Sequence, residues 1–99
     1  MAQIYEVTVD FSGDDAAGFE LYMADTHIPD VLATGCFAAA FFAKKGTRYT
    51  VGYHVNTPDD LERYLADFAP KLRDDVMTRY DGRIEISRRT LDIVKLFGG

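Results

Sequence analysis

Ninety-nine residues are enough for one domain and too few for two. Nearly half are apolar (47%), with seven Phe and six Tyr, which excludes a disordered chain. A net charge of −5 argues against nucleic acid, whose phosphates need a basic face. The longest apolar run, Cys36 to Ala43, is too short to cross a membrane, so no membrane partner is expected. The first residues alternate instead of showing a basic region followed by an apolar block, and Cys36 is the single cysteine. Both features suit a reducing cytoplasm.

Residues 3–11 open the chain as a half-buried strand: Tyr5, Val7, Val9 and Phe11 share one parity, Glu6, Thr8 and Asp10 the other. Ser12-Gly13-Asp14-Asp15 follows as a turn and helix cap, with carboxylates where the helix dipole favours them. A helix is predicted to about Ile28, because Phe19, Tyr22, Met23, Thr26 and His27 fall on one face. Pro29 is expected to break it, and Gly35 to end one further turn with a left-handed cap.

Cys36–Ala43 reads as a continuously apolar strand, in which Phe37 and Phe41 are placed towards the helices and Ala38, Ala40 and Phe42 away from them. Lys44-Lys45-Gly46-Thr47 turns the chain into a third strand, with Tyr49, Val51, Tyr53 and Val55 on one side and Arg48, Thr50, Gly52 and His54 on the other. Thr57-Pro58-Asp59-Asp60 is a helix start, with Thr57 as N-cap and Pro58 in the first helical position. Its apolar stripe is Leu61, Tyr64, Leu65, Phe68, Leu72 and Val76, and Pro70 either kinks it or starts a second helix. Asp81-Gly82 leads into a last strand with Ile84 and Ile86 inward, Glu85 and Ser87 outward, and the alternation lost at Arg88-Arg89.

The order β-α-β-β-α-β predicts a single α+β domain over residues 1–99, of the ferredoxin-like kind: a four-stranded antiparallel sheet in the order 4-1-3-2 with both helices on one face. The second strand then lies at an edge and is apolar on both faces. Such an edge invites pairing unless it is covered. A homodimer joined through the open sheet face would cover it; a monomer whose small alanines tolerate exposure is the alternative. Residues 90–99 form an apolar arm (Leu91, Ile93, Val94, Leu96, Phe97), either exchanged between subunits or packed on their own.

Several segments carry a resemblance: Tyr5-Glu6-Val7-Thr8-Val9; His27-Ile28-Pro29-Asp30-Val31-Leu32-Ala33-Thr34-Gly35-Cys36-Phe37; Tyr49-Thr50-Val51-Gly52-Tyr53; Leu61-Glu62-Arg63-Tyr64-Leu65; and Ala69-Pro70-Lys71-Leu72-Arg73. Together they resemble a family of small uncharacterised bacterial proteins, a domain-of-unknown-function family, along nearly the whole chain. The His-Ile-Pro-x-Val-Leu-Ala-Thr-Gly string is the most specific part. More distantly the pattern is similar to the dimeric α+β barrel superfamily, which includes antibiotic-biosynthesis-type monooxygenases, chlorite-dismutase-like proteins, muconolactone-isomerase-like enzymes and stress-response dimers. The resemblance implies a dimer of ferredoxin-like subunits and no particular reaction, since one scaffold carries many chemistries.

Two places can carry chemistry. His27, the candidate catalytic residue, faces the sheet side bearing Tyr5, Tyr49 and Tyr53, and a pocket completed by Phe37 or Phe41 would suit a small-molecule ligand. The competing reading is a core histidine satisfied by protein, since no acid stands in register to orient it. The second place is the outer sheet face, where Glu6, Arg48, His54, Glu85 and Arg89 gather either as a charge-paired dimer interface or as an anion site. His27 and His54 lie far apart, so no metal set is expected, and no motif calls for a cofactor. The expected function is therefore a homodimeric small-molecule- or partner-binding module, with a small cofactor-independent enzyme of monooxygenase or isomerase type as the alternative.

Overall fold

Alternation along Gln3–Phe11 does what a half-buried strand requires. In the computed structural model, which describes residues 2–98, Tyr5, Val9 and Phe11 are buried on one face of β1. Asp15 caps α1 (Ala16–Tyr22), its carboxylate accepting from the Gly18 N–H at 2.9 Å. Pro29 does not break the helix. A π-turn over Met23–His27 comes first, in which the Ile28 N–H reaches back to the Met23 carbonyl, and α2 (Ile28–Leu32) carries on through the proline. The wider turn contains one residue more than an α-turn, so the buried face runs Phe19, Met23, Ile28, Val31, and Thr26 is turned out to solvent. Gly35 then closes the segment at φ 77°, the left-handed cap.

β2 (Phe37–Lys45) and β3 (Arg48–Val55) form the hairpin around Gly46, whose φ is 62°. A β-bulge between Phe37 and Ala39 shifts the register of β2 by one. The shift inverts the expected facing of the rest of the strand, because strand side chains alternate with a period of two. Ala40 and Phe42 therefore point at the helices, with the Phe42 ring stacked on Tyr49 at 5.6 Å, while Phe41 lies on the open face and is 51% exposed.

The second helical segment repeats the device of the first. Thr57 accepts from the Asp60 N–H at 3.2 Å and starts α3 (Pro58–Arg63). A second π-turn (Tyr64–Phe68) precedes Pro70, and α4 (Ala69–Tyr80) completes the segment. Its extra residue moves Leu65 out to solvent and brings Ala69, Val76 and Tyr80 into the core, with Arg73 on the same face. β4 (Ile84–Asp92) then runs four residues past Arg88, so Thr90 to Asp92 belong to the sheet and not to an arm. Beyond it, residues 93–98 hold no regular structure, and Val94 and Phe97 are 93% and 83% exposed.

The sheet is antiparallel in the order β2-β3-β1-β4, the expected 4-1-3-2 read from its other edge. Its helix-side rows are Thr90-Tyr5-Tyr53-Ala40 and Arg88-Val7-Val51-Phe42. On the opposite side, one row runs Leu91-Ile4-His54-Ala39, the next Arg89-Glu6-Gly52-Phe41, and the last Glu85-Asp10-Arg48-Lys45. The open face thus has an apolar end, from which the tail leaves, and a charged end.

Candidate functional site

A cleft opens between the two helical segments and the sheet, where the strand alternation and the two π-turns bring polar groups together. Tyr5 and Tyr53 come from the inner sheet face, His27 and Tyr64 from the two π-turns, Arg73 from α4 and Arg88 from β4. Its apolar walls are Val7, Val9, Met23, Val51, Val76 and Ile86. The cleft holds about 440 Å³ of empty space including its open mouth, of which about 30 Å³ is open to the centre of a water molecule. That is room for about two ordered waters, so a larger occupant has to displace side chains at the mouth.

Expected residues meet the cleft unevenly. Tyr5, Tyr53 and His27 line it. Phe37 stands behind it, with its ring 6.2 Å from Tyr5, 5.0 Å from Tyr53 and 4.8 Å from Tyr64. Tyr49 is instead a core residue, buried against Phe19 and Phe42 at ring separations of 5.1 and 5.6 Å. Phe41 is excluded by the bulge, which puts it on the far side of the sheet.

The sequence reading missed Tyr64, Arg73 and Arg88 as lining groups. Strand parity was the available signal for Arg88, since 84, 86 and 88 share a face; the Arg-Arg doublet hid it by resembling a strand end. Arg73 is half-buried, and its Nη2 donates to the Tyr5 hydroxyl at 2.9 Å while its buried Nε finds no acceptor among the described residues. Arg88 stands exposed at the mouth, near the same hydroxyl. Desolvation, then the neighbouring Arg73 charge, pushes its guanidinium below the usual value. Among the described residues neither arginine makes an ion pair, and Asp75 on α4 is held by Lys71 at 3.1 Å.

His27 is half-buried, with its ring stacked 6.3 Å from Tyr22, and burial holds its pKa below 6.5 against the opposing pull of Asp30 and Asp75. The imidazole is therefore neutral at neutral pH. Burial pushes the Tyr64 phenol up to about 12 and raises Tyr53 further, so both keep their protons. Donors thus outnumber acceptors in the cleft.

The open face is arranged differently from expectation in detail. Within the subunit Arg89 pairs with Glu6 at 2.7 Å, Arg48 reaches Asp10 at 3.2 Å, and Glu85 lies across from Asp10. His54 sits in the apolar row, between Ile4 and Ala39. Among the described residues no three metal-ligating side chains gather, and no helix is long and apolar enough to cross a membrane.

Residues 2–94 match the family described as Domain of unknown function (DUF4286). The chain belongs to that family. No curated protein matches it. Among solved structures it is similar to SnoaB, a cofactor-independent oxygenase from Streptomyces nogalater, with a TM-score of 0.77 at 14% identity over 99% of this chain and 98% of that one. It is similar too to a dimeric ferredoxin-like protein from an uncultured marine organism (TM-score 0.72, 7% identity, all of both chains). A protein of unknown function from Nitrosomonas europaea gives a TM-score of 0.64 at 19% identity over 100% of this chain and 98% of that one. At these identities the likeness establishes the ferredoxin-like fold seen in dimeric α+β barrel proteins, and a fold does not name a reaction.

Proposed function

We propose that this DUF4286 chain is one half of a homodimer whose subunits each bind a small molecule in the cleft between helices and sheet. The observation that carries the ligand reading is the polar lining. Among the described residues His27 has no side-chain hydrogen bond and Arg88 no carboxylate partner, although both face the space, which is unlike a histidine or arginine satisfied within a core. The dimer reading is supported by the apolar groups of the open face, half-exposed Phe41 on β2 and, across the sheet, Ile4 on β1 and Leu91 on β4, from which the bare tail follows. A similar fold described as dimeric is consistent with it. A cytoplasmic setting suits the buried, unpaired Cys36.

Native mass spectrometry of freshly purified protein tests both halves of the reading. A dimer mass with a bound small molecule, lost in His27→Ala, is the expected result. A monomer without adduct, in which small aromatic and aliphatic probes shift no cleft resonance, would overturn it.

A second reading is favoured by one observation, the half-buried His27 imidazole that lines the cleft without a hydrogen bond to any described side chain, its pKa lowered by burial. In its neutral form it can accept a proton from a bound substrate, as a cofactor-independent enzyme requires. Turnover that survives in His27→Gln would remove it from that role.

A further inference from the structure

We infer that the ligand of this cleft is a small organic carboxylate with an apolar body, its carboxylate held at the mouth by Arg73 and Arg88 and the Tyr5 hydroxyl. The inference rests on the reading of the cleft as a ligand site and adds the charge and shape of what enters it.

The chain carries 16 acidic residues against 11 Lys and Arg, so a cation in this protein has acids to spare. Arg79 and Arg83 lie over the Tyr22 and Tyr80 rings, while Arg48 takes Asp10, Arg63 takes Asp60 and Arg89 takes Glu6. Among the described residues Arg73 and Arg88 pair with no acid. They lie close enough for each to feel the other's charge, around one phenol, and Asp75 is already committed to Lys71. Two guanidiniums brought together without an anion repel, and a donor such as Arg73 Nε left dry has lost its water without gaining an acceptor.

The phenols add to this demand. The Tyr5 oxygen accepts from Arg73, which leaves its own proton to be given away, and Tyr64 stays protonated. The cleft therefore offers planar guanidinium forks and hydroxyl donors to one missing acceptor. A carboxylate satisfies that geometry, since its two oxygens accept in a plane from a guanidinium fork. The wall behind is Val7, Val51, Val76 and Ile86, which can bury only an apolar body. Narrow space selects a slender, singly charged head over a bulky phosphate ester. Because Arg88 is exposed, its flexible side chain is the part that can swing aside to admit the ligand.

The test uses the full chain with benzoate and hexanoate as probes, against benzamide and hexanamide as neutral counterparts of nearly the same shape. Binding is read by titration calorimetry and by NMR shifts of the Arg73 Nε and Tyr5 signals. Expected is at least ~10-fold tighter binding of one or both acids than of their amides, one charge-assisted pair being worth about that factor. Arg88→Met should remove this preference, Arg88→Lys should restore part of it, and Arg63→Met, on the outside of α3, should leave it intact. Far-UV circular dichroism checks that each variant is folded, and Arg88 is exposed enough for its loss to be tolerated. Equal binding of acid and amide, or a preference that persists in Arg88→Met, would overturn the carboxylate while leaving a ligand cleft in place. If neither acids nor amides shift any cleft signal, the ligand cleft itself falls and this inference with it.

Discussion

Phe41 offers the sharpest test of how this subunit is completed. The bulge in β2 places its ring on the open face, flat over Gly52, where a β-carbon would collide with it. It is 51% exposed, and a phenylalanine carries about 200 Å² of surface, so roughly 100 Å² remains to be covered. At about 25 cal/mol per Å² that amounts to ~2.5 kcal/mol per ring. A two-fold interface uses the same patch twice, giving ~5 kcal/mol, or between three and four decades in dissociation constant. Association converts area to affinity incompletely, so the expected loss on Phe41→Asp is at least ~100-fold. The carboxylate would also have to be desolvated opposite its symmetry mate. Sedimentation equilibrium over a concentration series measures this directly, with circular dichroism confirming that the monomer is folded. A Phe41→Asp protein that dimerises as tightly as the parent would refute the assignment of this face as the interface.

Further outcomes follow from single positions. The His27 pKa is lowered on folding, so the unfolded chain takes up a proton first as pH falls. Stability should therefore be level above about pH 6.5 and decline as pH drops from there towards the folded pKa, and His27→Gln should flatten that stretch of a denaturant-midpoint profile. Gly35→Ala meets no atom within 4 Å, so its cost is backbone strain alone at φ 77°. About 1–2 kcal/mol is expected, read as a fall in melting temperature, and an unchanged midpoint would contradict the left-handed cap. Thr57→Ala removes the hydroxyl that accepts from Asp60 N–H, at a cost of about 1 kcal/mol, while Thr57→Ser should restore the parent midpoint.

The strands at the centre of the sheet were legible because each has one wet and one dry face. Along β1 and β3 a polar residue marks nearly every outward position, and the registers Tyr5↔Tyr53 and Val7↔Val51 follow from that alternation. β2 carried no such marks. In a run of three alanines between phenylalanines, parity has nothing to report, and the bulge that decides which phenylalanine faces the helices leaves no trace in hydrophobicity. The same lack of contrast hid the helical phase. A 3.6-residue stripe through Leu65, Phe68 and Leu72 looks sound, yet the π-turn replaces Leu65 with Ala69 in the core. Pro29 and Pro70 were the available clue, each standing two residues beyond a π-turn.

Those two π-turns also explain why the cleft exists where it does. A proline inside a helix clashes with the carbonyl four residues back, and widening the preceding turn is one way for the helix to continue. The first π-turn ends on His27 and the second begins on Tyr64, and both residues line the cleft. With α4 re-phased, Ala69, Arg73, Val76 and Tyr80 form its inner stripe, which carries a guanidinium to the Tyr5 hydroxyl in the middle of an otherwise apolar face. An uninterrupted α-helix through the same residues would favour Leu65, Phe68, Leu72 and Val76 and bring leucines towards the sheet. The backbone defects and the polar lining are thus one feature: the extra residue in each helix is what exchanges packing for an arginine, a histidine and a tyrosine at the same end of the sheet.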